Sequence, residues 1–122
     1  MALTPICLTD KLALFDEPWR PKVVAALNGQ EVKLVKTLGV FPWHTHDDVD
    51  ELFLVLRGQL VVELADQVIE LGPGQLVVVP RGVRHRTRSA HEAEVLIFEP
   101  AEVRNTGDVV DSAFTAPGGV TI

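Results

Sequence analysis

A chain of 122 residues fits one domain with a core of its own, and 47% hydrophobic with 23% charged residues is ordinary globular usage. The net charge of −6 argues against a nucleic-acid or anionic-membrane surface, because both partners need a basic face. A small anionic substrate remains compatible, since a bound divalent cation would reverse the local field.

The leader, residues 1–22, reads as an irregular arm. Pro5, Pro18 and Pro21 punctuate it, and Trp19 is an apolar anchor expected to pack across the domain or a second subunit. Cys7 is the single cysteine, so no internal disulfide forms, and it reads as a partly buried small hydrophobe. Met1 to Glu17 lacks a basic segment followed by a continuous apolar one, so a cytoplasmic location is the expectation.

From Val23 the chain reads as strands. Val23–Leu27 and Glu31–Leu38 flank Asn28-Gly29, a dipeptide suited to a two-residue hairpin turn in which both positions take positive φ. A loop from Gly39 to Trp43 leads to His44-Thr45-His46. Glu51–Leu56 is a continuous apolar run that Arg57-Gly58 turns. Leu60–Leu64 and Gln67–Leu71 pair across Ala65-Asp66. After the Gly72-Pro73-Gly74 turn comes the β-branched strand Leu76–Val79, closed by Pro80-Arg81-Gly82. Val83–Ser89 and Ala93–Glu99 read as two final strands, and residues 101–122 as an extended tail. Short segments at this even spacing predict an all-β sandwich or barrel over residues 23–100.

Three of the four histidines fall in two glycine-framed segments. In a strand, residues i and i+2 share a face, so His44 and His46 can point the same way. Glu51 opens the next strand, with Phe53 and Val55 on its face and Leu52, Leu54 and Leu56 on the other. His85 arrives from far along the chain. Three imidazoles and one carboxylate, converging in a small β-protein, suit a divalent metal. Trp43, Phe53, Val55 and Thr87 are candidates to line a substrate space beside it. The arginines at 84, 86 and 88 alternate with His85 and Thr87, so they should point outward. Asp47, Asp48 and Asp50 read as residues that solvate a turn, and His91 as a surface residue.

These residues carry a family resemblance. Gly39-x4-His44-x-His46-x4-Glu51-x6-Gly58 resembles the first motif of the cupin superfamily, with an opening gap one residue shorter than usual. Gly74-x5-Pro80-x-Gly82-x2-His85 resembles the second, with Ser89 where the family usually has an asparagine that is not a ligand. Pro-Trp-His-x-His, Glu99-Pro100 and Asn105-Thr106-Gly107-Asp108 are similar to the small single-domain proteins labelled mannose-6-phosphate isomerase-like. The isomerase activity itself does not follow from that label.

The resemblance implies a double-stranded β-helix, or jelly-roll barrel, that binds one divalent metal (Fe, Mn, Zn, Ni or Co) through His44, His46, Glu51 and His85. It implies a metal-dependent enzyme, of oxygenase or isomerase type, acting on a small oxygen-rich molecule. The alternative is a non-catalytic module that senses a small ligand, since cupins include both kinds. A homodimer is expected from the doubly apolar Glu51–Leu56 strand and the Pro- and Trp-bearing leader.

Overall fold

The computed structural model describes all 122 residues. One short helix, α1 (Leu8–Leu12), precedes seven strands: β1 (Lys22–Leu27), β2 (Gln30–Val40), β3 (Glu51–Arg57), β4 (Leu60–Leu64), β5 (Val68–Leu71), β6 (Leu76–Val79) and β7 (His85–Pro100). Every paired strand is antiparallel, in the order β1-β2-β7-β3-β6, with β4 joining β5 and the first half of β7. The fold is therefore mostly β, as the hydrophobic alternation requires. No helix is long and apolar enough to cross a membrane.

The expected hairpin forms: Leu27 pairs with Gln30, and Asn28 and Gly29 take φ of 52° and 75°. The end of the chain departs from expectation. Val83–Ser89 and Ala93–Glu99 are not two strands but one continuous β7. Its first part pairs with β4 (His85 with Leu64, Arg88 with Val61), and its second part pairs with β3 (Val95 with Val55, Phe98 with Leu52). The exposed Ala90-His91-Glu92 stretch resembles a turn in composition, but it lies where β7 passes between partners, opposite a register shift in β2.

Strand alternation then fixes what lies inside. Val35, Phe53, Val55, Leu60, Val62, Leu71, Val79, Ala93, Val95 and Ile97 form one buried cluster. Full burial of a side chain such as Phe53 or Leu60 stabilises the fold by roughly 1.5–3 kcal/mol. Outside the sheet, Leu12 and Phe15 of the leader cover Val24 and Leu34 in a second cluster. The leader thus packs on its own barrel. Trp19 is buried, its indole N–H donates to the Leu38 carbonyl at 2.8 Å, and Lys36 Nζ donates to the Phe15 carbonyl at 2.6 Å. Cys7, expected to be partly buried, is exposed, because α1 turns only Leu12 fully inward.

The tail is not an extended arm either. Residues 101–122 fold back through successive turns. Thr106 is wholly buried and its hydroxyl meets that of Thr115 at 2.7 Å, while Val23 and Ile122 exchange backbone contact at the end of the chain (Ile122 N to Val23 O, 3.1 Å). Small polar residues such as threonine and asparagine hold turns with side-chain hydrogen bonds, a device that leaves no periodicity to read.

Candidate metal centre

His44 and His85 hydrogen-bond to one another through their backbones: each N–H donates to the other's carbonyl at 2.9 Å. This single antiparallel bridge brings together residues 41 positions apart. The expected strand carrying His44 and His46 is not regular, since the chain around them is irregular apart from that bridge. It is extended enough for alternation to hold, and both rings are buried. Gly82 N donates to the His46 carbonyl at 2.9 Å, which ties the second histidine to the turn before His85. On the other flank, Asp50 accepts from the backbone N–H of Arg81 and from its guanidinium, so Asp50 does more than solvate a turn. Glu51 follows as the first residue of β3.

The ring orientations are set by carbonyls. His44 Nδ1–H donates to the Pro42 carbonyl at 2.8 Å, and His85 Nδ1–H to the Val83 carbonyl at 2.9 Å. A carbonyl only accepts, so each Nδ1 carries the proton and each Nε2 presents a bare lone pair. Glu51 Oε1 lies 3.3 Å from both His46 Nε2 and His85 Nε2. One donor atom from each of His44, His46, Glu51 and His85 falls within 4.8 Å of the other three. His46 Nε2, Glu51 Oε1 and His85 Nε2 are buried with no hydrogen-bond partner. Polar atoms so placed are costly to leave alone, and a cation in their midst satisfies all of them together. The donor set fits a divalent first-row metal, with imidazole orientation supplied by backbone carbonyls as such sites require.

The electrostatics agree. Burial, reinforced by His85 alongside, lowers the His44 pKa to about 4, so that ring is neutral and ready to ligate at pH 7. Burial would push Glu51 up, but the adjoining His46 and His85 imidazoles prevail and hold it below the usual carboxylate range. Glu99 behaves oppositely. Burial, and then the charge of Glu51, push it up to about 9, against the pull of Lys33.

A cavity of about 30 Å³ adjoins the cluster. Of the sequence-derived lining candidates, Phe53 and Thr87 border it. Val55 lies in the core with no exposure. Trp43 faces away: as the neighbour of His44 in an extended segment it takes the opposite side, where the guanidiniums of Arg84 and Arg86 lie 4.8 and 5.0 Å from its ring. Arg86 and Arg88 point outward as expected, and both bind Glu63. Ten further residues line the cavity, among them Trp19, Phe41, Asn105 and Glu99, and the sequence reading places none of them at the site. Only Glu99 left a legible sign, an acid continuing the inward alternation Val95-x-Ile97-x-Glu99.

The tail buttresses the cluster. Between His44 and His46, Thr45 N donates to Asp108 Oδ1 at 2.7 Å, and Asp108 N donates to the Thr45 carbonyl at 2.9 Å. Gly107 sits at φ +57°, and a Cβ there would lie 2.3 Å from Thr45 O and 3.0 Å from His44 Cδ2.

Comparison with known proteins gives the same fold and family. The family model described as "Cupin domain" matches residues 28–99, and the chain belongs to that family. It is 37% identical over 67 residues to the uncharacterized protein YdbB of Bacillus subtilis (strain 168), covering 54% of this chain and 59% of YdbB. The match thus spans less than two thirds of that relative's length. Among solved structures, a cupin-2 domain containing protein from Shewanella frigidimarina superposes with a TM-score of 0.77 at 42% identity, covering 78% of this chain and 93% of that one. Protein NMB1881 from Neisseria meningitidis gives 0.73 at 32% identity, covering 80% and 100%.

Two outcomes are expected. Gly107→Ala should displace Thr45 and His44 and weaken zinc binding, read by chelator competition, by about ten-fold or more. Gly118→Ala, with open space around its Cβ, should leave it unchanged. The second outcome concerns acid. An unfolded histidine titrates near 6.5 and folded His44 near 4, so between these values the unfolded chain binds a proton that the folded one does not. The metal-free protein should therefore keep this contribution above about pH 6.5. It should lose on the order of 3 kcal/mol of it as pH falls to 4. Urea unfolding across that range should show a shallower slope for His44→Gln.

Proposed function

We propose that this cupin holds one divalent metal ion on His44, His46, Glu51 and His85, and that it is a metal-dependent enzyme, of oxygenase or isomerase type, for a small oxygen-bearing molecule. The observation that carries the reading is the convergence of buried, partnerless Nε2 and Oε1 atoms beside a cavity. When bound, the metal supplies Lewis-acid polarisation or, as iron, a place for oxygen activation. The chain's own residues do the rest. The carbonyls of Pro42 and Val83 hold two of the imidazoles in the ligating tautomer. Phe41 packs edge-on against His44 with ring centroids 5.3 Å apart, and with Phe53 it keeps the cavity wall apolar and excludes water.

The cavity volume supports a substrate that reacts through a compact end group, since ligand pockets usually run to 300–1,000 Å³. The same small volume favours a second reading, a non-catalytic module that senses a small molecule. The resemblance to mannose-6-phosphate isomerase-like proteins enters as a label for a subgroup and carries no sugar substrate.

We also propose a homodimer through the outer face of β3 and β6. Leu52 pairs with Val78 and Leu54 with Leu76, leaving a row of apolar side chains on an edge strand, with Leu76 and Val78 exposed. A second copy can cover such a patch isologously. The leader, once a separate reason to expect a dimer, is occupied by its own barrel and lends no support.

Two measurements test these readings. Metal-stripped protein titrated with Fe(II), Mn, Zn, Ni and Co should bind one ion per chain. His46→Ala should bind at least about 100-fold more weakly with unchanged circular dichroism. Oxygen uptake by the iron-loaded form, or solvent-deuterium exchange next to a carbonyl with another metal, supports an enzyme. Tight small-molecule binding without turnover on any of the five metals would leave only the sensing module. For the dimer, sedimentation at micromolar concentration should give the mass of two chains, and Val78→Lys should give one.

A further inference from the structure

The inner face of the sheet carries a second polar group beside the metal cluster. Glu31 pairs with Glu99 across β2 and β7, and Leu52 with Phe98 across β3 and β7, which sets Glu51 alongside Glu99. Three carboxylates therefore lie in one inward-facing row across three adjacent strands, next to the row Lys33–Ile97–Phe53 and then the apolar row Val35–Val95–Val55. Glu99 is 3% exposed and lines the same cavity as His44 and Glu51. Its Oε1 accepts from Lys33 Nζ at 2.9 Å, while its Oε2 is buried without a partner.

A structural ion pair does not need this arrangement, because well-packed apolar residues serve a barrel interior as well or better. Lys33, which borders tail residues, holds one Glu99 oxygen and leaves the other without a partner in a side chain that lines the cavity. The remaining wall is largely apolar: Phe41, Phe53, Leu60, Val95 and Ile97. Thr37, which also borders the cavity, has its hydroxyl engaged with that of Ser89 at 2.8 Å.

We propose that Glu99 is a substrate-binding residue whose Oε2 hydrogen-bonds a ligand hydroxyl, and that the ligand class is the compact α-hydroxycarbonyl. This rests on the metal reading of the neighbouring cluster. A carbonyl end lies toward the histidine–glutamate cluster, the adjacent hydroxyl meets Glu99, and the short carbon body fills the space between aromatic and β-branched side chains. About 30 Å³ admits roughly one or two water-sized groups, so only a molecule that is small at this end fits.

The test uses cobalt-loaded protein and two probes, hydroxyacetone and acetone, with binding read from the cobalt absorption spectrum. Wild type should bind hydroxyacetone at least about ten-fold more tightly than acetone, the worth of one hydrogen bond. Lys33→Met/Glu99→Leu, which replaces the pair with apolar residues, should keep cobalt affinity within about three-fold and lose most of that preference. Glu99→Gln, which preserves packing, serves as the second variant and should reduce the preference in the same direction. A preference that persists undiminished in both variants, or a wild type that binds the probes equally or binds neither, overturns the assignment of Glu99. Failure of wild type to bind cobalt overturns the metal reading instead.

Discussion

The reciprocal backbone pair between His44 and His85 is the constraint on which the rest of the site depends. Two hydrogen bonds, each 2.9 Å, clamp an irregular loop to the first residue of the longest strand. Each ring is then fixed by a carbonyl two residues earlier, so ring geometry is inherited from backbone geometry. Loops alone place side chains loosely. Here β7 lends the loop its rigidity, because β7 is itself held by β2, β3 and β4. A donor set held by backbone contacts needs no ion to assemble it, and whatever binds meets rings already aimed.

The same strand organises the interior into two chemistries. Along β7, Val95 and Ile97 point into the apolar core, Glu99 and Thr87 into the cavity, and His85 into the cluster. Alternation with period two puts all of them on one face, so the boundary between core and site is a change of residue type along a single row of side chains. That placement has an electrostatic price. Glu51 is held ionised by imidazoles while Glu99, one strand away, is driven toward its neutral form by burial and then by that charge. A cation among the imidazoles would shield Glu51 and leave Glu99 to Lys33.

Much of this was legible in the sequence where a residue's role follows from local spacing. The Asn28-Gly29 turn, the inward set of β3 and the four donor residues all lie in patterns of two or in glycine-framed motifs. Glu99 stands out in the sequence only within the Glu99-Pro100 dipeptide, because a buried acid has no spacing rule of its own. Its role depends on register across β2, β7 and β3. Trp43 was misplaced by attending to its nearness to His44 along the chain, when parity puts neighbours on opposite faces. The break expected in β7 came from reading exposed polar residues as a turn. They are exposed because the strand there leaves one neighbour for another.

The tail illustrates why the last part stayed hidden. Its order comes from side-chain-to-backbone bonds made by Asn105, Thr106, Asp108 and Asp111, each with a different partner and none repeating. Asn105 alone binds the carbonyls of Trp19 and Phe114 and accepts from Ala116 N, so it joins leader, tail and cavity wall at one point. Such a knot has no periodic signature, yet Gly107 and Asp108 press directly on Thr45 between His44 and His46. Residues outside the sheet therefore complete the support of the histidine–glutamate cluster. A barrel stripped of its tail would keep the alternation that folds it and still lose the backbone partners that hold Thr45, and with it His44 and His46, in place.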